Sequence, residues 1–169
     1  GNLLAWKGGA LLYRAVVANE NKQPEEFKKL YQQALDTFAE AGKQPTGNEG
    51  VAAITGGSFG VFADRLPKEY RPSAWSTAYD NYLMLYRQQS AVLDRLPVHL
   101  RGEVLGGLAQ SAQRTGRKDE MAQYVDKILA VLGGTPYEPI AKKWKANPDS
   151  ATNTSITCDL LRQTGIGSV

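Results

Sequence analysis

Few residues in this chain have the type and spacing that chemistry would need. The glycine-rich stretch at 55–60, TGGSFG, has the composition of a phosphate-binding loop. It lacks the G-x4-G-K-[ST] spacing and the preceding strand that such a loop requires. We therefore expect these glycines to lie in a helix and to serve helix packing.

His99 and Cys158 are the single histidine and the single cysteine, so together they are the candidate nucleophile–base pair. They stand about sixty residues apart, and the sequence has no serine-centred elbow motif. His99 falls in the first turn of a predicted helix after Pro97, where an exposed histidine is ordinary. The lone cysteine excludes an internal disulfide framework and an all-cysteine metal site.

The carboxylates do not cluster as acid–base or metal sites. Glu25-Glu26 and Asp119-Glu120 each stand at the start of a predicted helix, where the helix dipole already favours negative charge. We therefore predict no catalytic residue, no metal site and no cofactor, and expect that the protein is not an enzyme.

A stripe of aromatic residues in the fourth predicted helix allows two interpretations. Its members are Trp75, Tyr79, Tyr82 and Tyr86. They could stack bases beside Arg71 and Arg87, but their helical spacing with leucines favours a place in the core. The 20 basic residues are offset by 17 acidic ones, giving a net charge of +3, and no run of five like charges occurs. Nucleic-acid binding is therefore disfavoured.

The composition is typical of a soluble globular protein. Of 169 residues, 42% are apolar and 22% charged, and the mean hydropathy is −0.39. No run approaches the ~18 apolar residues that a membrane span needs. A chain of this length can bury roughly 70% of its unfolded surface without a metal or disulfide.

The start of the chain suggests a location. It opens with Gly1 and a helical pattern, without a methionine or targeting leader. We expect a bacterial protein exported to the periplasm or secreted, with its leader removed. Trimming from a larger protein would explain the same start, and a cytoplasmic location stays open. Residues 153–155 fit the glycosylation sequon, a pattern too common to weigh by itself.

Hydrophobic periodicity predicts helices along nearly the whole chain. The first covers 3–17, and its apolar side runs through Leu4, Trp6, Ala10, Leu11, Tyr13 and Val17. The second begins at Pro24 and ends at Gly42, a glycine-rich third covers 51–66, a fourth begins at Pro72, and Pro97 opens the fifth.

Residues 102–132 are predicted to form two antiparallel helices joined by a tight turn at Thr115-Gly116. This helix pair is similar in sequence pattern to earlier parts of the chain. Gly8-Gly9, Gly56-Gly57 and Gly106-Gly107 each lie in the first helix of a pair, separated by 48 and 50 residues. A helix pair cannot bury its apolar stripe alone, so stacked pairs form a continuous core, and the glycines allow close packing.

The sequence thus predicts an all-α protein with almost no strand. Three antiparallel helical hairpins, at about 2–42, 47–96 and 97–133, are expected to stack in one domain covering 1–147. A capping helix is predicted at 136–147, with lysines on its wet side, and an irregular tail with at most a helical turn at 148–169.

These helix pairs resemble tetratricopeptide repeats, units of about 34 residues with the pattern W-x2-L-G-x2-Y, then A-x3-F-x2-A, then P. In the first pair Trp6 and Tyr13 keep the Trp-to-Tyr interval. Its second helix matches A-x3-F-x2-A with Ala34, Phe38 and Ala41. Residues 102–135 accept the template without a gap, with Leu105, Leu108, Ala109 and Ala112 in the first helix, Gly116 in the turn, and Met121, Val125 and Ile128 in the second.

The resemblance implies a binding or scaffolding module that holds a protein segment in a concave groove lined by the first helices. The positions between the packing residues would point into this groove: Lys7, Arg14, Glu103, Gln110 and Gln113. Their polarity would suit a groove that recognises a peptide by hydrogen bonds and charge. The plain alternative is that they are solvated helix residues.

A second function stays open. The chain could be an accessory or small-ligand-binding domain of a larger enzyme or envelope system. The ligand would then lie in a pocket between hairpins, where the glycines leave room.

Overall fold

The structure, a computed structural model, describes residues 1–44 and 47–152. Over these residues the chain forms seven α-helices, four short 3-10 helices and no strand, so the all-α prediction is confirmed. The α-helices are α1 Asn2–Glu20, α2 Pro24–Gly42, α3 Asn48–Phe62, α4 Arg71–Gln89, α5 Val98–Arg114, α6 Lys118–Val131 and α7 Tyr137–Ala146. The 3-10 helices are Ala63–Arg65, Lys68–Tyr70, Ser90–Arg95 and Pro148–Thr152. None of the described helices has the length and apolar character of a membrane span.

The chain divides into two compact units, Gly1–Leu85 and Tyr86–Val169, with the boundary inside α4. Unit 1 holds α1, α2, α3 and most of α4, and unit 2 holds α5, α6 and α7. The internal packing of each unit is described separately below.

In unit 1, α1 and α2 form an antiparallel hairpin. α2 begins at Pro24, with Glu25 and Glu26 in its first turn, and ends at Gly42 as predicted. The hairpin is tight because Gly8 faces the buried ring of Phe38: a Cβ at position 8 would lie 2.8 Å from that ring. The predicted use of Gly8 for close packing is thereby confirmed.

α3 lies beside α1 and runs parallel to it. Asn2 lies beside Gly50, Gly9 beside Ser58, and the rings of Tyr13 and Phe62 are 5.7 Å apart. These neighbours are separated by 48, 49 and 49 residues. The spacing matches the 48-residue interval between the first two glycine pairs, so α1 and α3 are equivalent in sequence pattern and neighbours in space.

The glycines of TGGSFG lie within α3, as predicted, and they face Tyr82 of α4. Positions for a Cβ at Gly56 and Gly60 lie 3.4 and 3.6 Å from the ring of Tyr82. Tyr82 is buried with Trp75 and Tyr79. Three of the four rings of the aromatic stripe therefore belong to the core, where they cannot stack on bases.

The predicted apolar side of α1 is wrong in three positions. Trp6 and Tyr13 are 65% and 49% exposed and Ala10 is exposed as well, while Gly8, Gly9 and Leu12 are buried. The reason is that α1 is apolar around most of its circumference, so periodicity alone does not select the buried side. Close helix packing selects the buried side, because α2 and α3 can approach α1 only on the side that carries Gly8 and Gly9.

In unit 2, α5 and α6 form the predicted antiparallel hairpin. The chain reverses at Thr115-Gly116, where Gly116 has φ +76, a left-handed conformation that favours glycine. Arg101 at the start of α5 donates to the carbonyl of Val131 at the end of α6 over 2.9 Å. The two helices are thus joined at both ends.

The predicted capping helix is α7. Its buried side consists of Tyr137, Ile140, Ala141 and Trp144, and its lysines are exposed as expected. Lys145 pairs with Asp126 of α6 at 2.7 Å. Tyr137 packs directly against Gly102 of α5, so a glycine again permits close approach between helices.

The chain after α7 continues into the 3-10 helix Pro148–Thr152, where we expected the irregular tail to begin. Ala151 is buried, and Asp149 accepts a hydrogen bond of 2.8 Å from the amide of Gln113 in α5. Burial and this bond account for a helical turn at the start of the segment, within the single turn that the sequence analysis allowed for the tail. Cys158, the sequon and the rest of the predicted tail lie outside the described residues.

Replacing Gly8 by valine tests the close approach of α1 and α2. The added carbons would overlap the buried Phe38 ring, so Gly8→Val should lower the free energy of unfolding by about 1–3 kcal/mol. Gly42→Val is the control, because nothing lies within 4 Å of a Cβ there, and its effect should stay within about 0.5 kcal/mol. Urea denaturation followed by circular dichroism measures both. Equal stability of the two variants would contradict the packing described.

Candidate binding groove

An apolar groove of about 380 Å³ lies between α1 and α3 in unit 1. Its lining residues are Trp6 of α1 and Ala53, Ile54, Gly57, Ser58, Val61 and Phe62 of α3. We refer to it as the α1–α3 groove. Apart from the indole N–H of Trp6, the only polar group on these side chains is the hydroxyl of Ser58.

The sequence of α3 explains why the groove is both apolar and concave. From Gly50 to Phe62 the helix carries no charged residue. The small residues Gly57 and Ser58 stand next to the larger Ile54 and Phe62, so the surface is recessed where side-chain volume is missing. Trp6 of the neighbouring helix forms the opposite wall.

A strip of apolar side chains on α1 continues the groove outward. Leu3, Trp6, Ala10 and Tyr13 recur at intervals of three and four residues and are all exposed, Leu3 by 84%. Single exposed apolar residues are common, whereas a contiguous strip beside an apolar groove is typical of an interaction site.

One end of the groove is held by a cluster that joins α1 to the turn after α3. Arg65 donates two hydrogen bonds to the Glu20 carboxylate, at 2.8 and 2.9 Å, and these bonds lower the pKa of Glu20. The guanidinium of Arg65 also lies 5.7 Å from the centre of the Phe62 ring. Asn19 donates to the carbonyl of Arg65 over 3.1 Å. The cluster fixes the C-terminal ends of α1 and α3 side by side.

Lys7 and Arg14 add positive charge next to this surface. Both are exposed, and each follows a residue of the apolar strip, Trp6 or Tyr13. Within the part of the chain that the structure describes, neither forms an ion pair or a side-chain hydrogen bond. No acidic residue lines the groove, whereas Glu26 of α2 lines a separate recess together with Arg14.

The five residues predicted to contact a partner fall in both units. Lys7 and Arg14 lie two helical turns apart on the outer side of α1, and Glu103, Gln110 and Gln113 lie in α5. Whether any of the five contacts a partner stays a prediction.

Their exposure differs from what the repeat pattern suggested. Glu103 and Gln113 are partly exposed, but Gln110 is only 2% exposed. The expectation of a solvent-facing Gln110 is wrong because every residue from Val104 to Ala112 is buried. Where a helix is enclosed all round, no position between the packing residues remains open.

Sequence reasoning missed the residues that line the α1–α3 groove. Two signals could have found them: the charge-free stretch of α3, and a first helix too apolar to be buried on one side only. A repeat pattern assigns both features to core packing, because it places apolar residues in the core by default.

A second cavity, of about 250 Å³, lies in unit 2 and is lined by Gln113, Lys118, Met121, Ala122, Pro148 and Asp149. It shares lining residues with a smaller cavity of about 70 Å³ that reaches Trp144. The indole N–H of Trp144 is buried and has no hydrogen-bond partner among the described residues. Such a donor is suited to an acceptor group on a small molecule or to water.

The remaining candidates for chemistry are separate from these cavities. His99 is exposed in the first turn of α5, as predicted. Over residues 1–44 and 47–152 no group of three or more His, Cys, Asp or Glu side chains could hold a metal ion.

Comparison of the chain with protein-family models, curated proteins and solved structures finds no match.

The exposure of Trp6 gives a direct optical test of the groove. Trp75 and Trp144 are buried, so acrylamide should quench mainly the emission of Trp6. In Trp6→Phe the remaining emission should be blue-shifted and resist quenching. Emission from Trp6→Phe that is as quenchable as that of the wild type would contradict the exposed position of Trp6.

Proposed function

We propose that this chain is a non-enzymatic protein-interaction module of tetratricopeptide-like type, which binds a segment of another protein in the α1–α3 groove. The observation that carries the proposal is the apolar groove, bordered by the exposed strip on α1. Both surfaces are contributed by first helices of the predicted hairpins, the helices that line the binding groove in the family that the sequence resembles.

The order of helices within each unit supports the repeat interpretation. α1 and α3 run parallel at an offset of 48 to 49 residues. In unit 2, Gly102 lies beside Tyr137 and Gln113 beside Asp149, at separations of 35 and 36 residues. The second offset is close to the repeat length of about 34 residues. In this interpretation, the neighbouring helix in each unit would be the first helix of the next repeat.

The lining of the groove supports binding without reaction. General acid–base and nucleophilic catalysis both need a titratable or nucleophilic group within hydrogen-bond reach of the substrate. The α1–α3 groove offers only the Ser58 hydroxyl, with no base among the residues that line it. Its apolar side chains can instead bury the anchors of a partner, as helix-binding grooves do.

The mode of recognition we propose differs from the one the sequence suggested. The repeat template pointed to polar positions that recognise a peptide by hydrogen bonds. In unit 1 the surface next to Lys7 and Arg14 is apolar, so we propose that burial supplies the affinity and the two cations supply orientation.

Small-ligand binding is a second candidate function. The observation that favours it is the buried, unpartnered N–H of Trp144 beside the cavities of unit 2. A ligand there would be small and apolar and would carry one hydrogen-bond acceptor.

A selection from a displayed library of random peptides tests the interaction role. Peptides enriched on the wild-type protein should bind Val61→Asp at least about tenfold more weakly, since an unpaired carboxylate would be buried under the partner. Val61 is 47% exposed, so the change should leave the fold intact. Met84→Asp is the matched control, because Met84 is 41% exposed but does not line the groove.

Binding to Met84→Asp should equal binding to the wild type. If the selection yields no peptide that discriminates Val61→Asp from Met84→Asp, the interaction role in this groove is wrong, and the small-ligand candidate takes precedence.

A further inference from the structure

We infer that the partner segment is an amphipathic α-helix, with an apolar side that fills the α1–α3 groove and an acidic flank that meets Lys7 and Arg14. This inference rests on the proposed function and specifies the chemistry of the partner.

The lack of polar groups in the groove favours a helix over an extended segment. An extended peptide would bury backbone N–H and C=O groups against Ile54, Val61 and Phe62, which cannot hydrogen-bond. Buried backbone groups without partners are strongly unfavourable. A helix pairs its own backbone groups internally and presents only side chains to the groove.

The dimensions of the groove also suit a helix. The lining residues of α3 run from Ala53 to Phe62, a length of roughly 13 Å at the rise of an α-helix. Apolar anchors at i, i+3, i+4 and i+7 span roughly 10 Å. The recess at Gly57 and Ser58 would take a central anchor between Trp6 and Phe62.

The two cations of α1 indicate which residues should stand beside the apolar side of the partner helix. Lys7 and Arg14 are seven residues apart on α1, so they stand on one side of it at a separation of roughly 10 Å along the axis. Neither has a partner among the described residues, and α3 offers no carboxylate from Gly50 to Phe62. Two acidic residues at the same interval on the incoming helix would pair with both cations.

The same charges disfavour a second copy of this chain as the occupant. A symmetric contact through this surface would place Lys7 and Arg14 of one copy near those of its partner. No acidic side chain lines the groove to offset the repulsion between them.

The test uses a display library of amphipathic helices. Apolar stripe positions are varied, and the flanking positions are either all Glu or all Lys. On the wild-type protein, Glu-flanked helices should be enriched, and a synthetic Glu-flanked binder should bind at least about tenfold more tightly than its Lys-flanked version. Its affinity should fall as salt is raised. A proline in the middle of the peptide should abolish binding because it breaks the helix.

Charge reversal provides the matched variant. The double variant Lys7→Glu, Arg14→Glu should prefer Lys-flanked helices over Glu-flanked ones. Lys68→Glu, at an exposed cation of unit 1 outside the groove, should keep the wild-type preference. Circular dichroism checks that both variants are folded, and the reversed preference is itself a readout that loss of fold could not produce.

Each of the following outcomes would overturn the inference. Binders that depend on Val61 but show no flank preference, or that tolerate the central proline, would leave the proposed function standing and refute the acidic helix. Self-association abolished by Val61→Asp would identify a second copy as the occupant. Binding to phosphatidylserine-containing vesicles but to no peptide, with loss in Lys7→Glu, Arg14→Glu, would identify a membrane surface instead. A library without any Val61-dependent binder refutes the proposed function as well.

Discussion

The interaction on which unit 1 depends is the contact of α1 with two neighbours at consecutive glycines. At Gly8 the helix meets the ring of Phe38 in α2, and at Gly9 it meets Ser58 in α3. Glycine weakens a helix by about 1 kcal/mol relative to alanine, so these positions are intelligible only if close packing offsets that cost. Because glycine has no side chain, the backbone of α1 directly contacts the side chains of Phe38 and Ser58. These contacts fix the orientation of α1.

That orientation has a consequence for the surface. Since α1 turns its small residues inward, its large apolar residues Leu3, Trp6 and Tyr13 face outward. α3 lies parallel at the same height and adds a charge-free surface, so the two helices enclose the groove between them. The packing contacts and the exposed aromatic side chains thus lie on different sides of one helix: the glycines that allow the hairpin to close also leave Trp6 and Tyr13 exposed.

The sequence predicted the helices well where local signals agree. α2 has proline at its first position, acids in its first turn and an unbroken apolar stripe, and its bounds were correct. The turn at Gly116 was equally clear, because a left-handed residue ends the helix. Gly8-Gly9 and Gly56-Gly57 pointed correctly to close packing between helices.

Local sequence signals did not predict which side chains of α1 and α5 are exposed. Periodicity measures contrast between the sides of a helix, and both α1 and α5 lack it. α1 is apolar on its exposed side as well as on its buried side, so its pattern places Trp6 on the packing side. α5 is buried on all sides from Val104 to Ala112, so Gln110 is buried and not exposed to solvent. In both cases the deciding fact is where neighbouring helices lie. That depends on contacts between residues 48 to 49 positions apart for α1 and 35 to 36 positions apart for α5.

The central claim is that α1 and α3 pack in parallel through Gly9 and Ser58, and a disulfide can test it directly. A Cβ at position 9 would lie 3.8 Å from the Cβ of Ser58, within the range of about 3.5–4.5 Å found in disulfides. The variant Gly9→Cys, Ser58→Cys, with Cys158→Ser to remove the native thiol, should form an internal disulfide under mild oxidation. Ala10→Cys, Ser58→Cys in the same background should keep both thiols free, because position 10 faces outward. Free thiols persisting in the first variant, or cross-links only between molecules, would contradict the packing from which the groove arises.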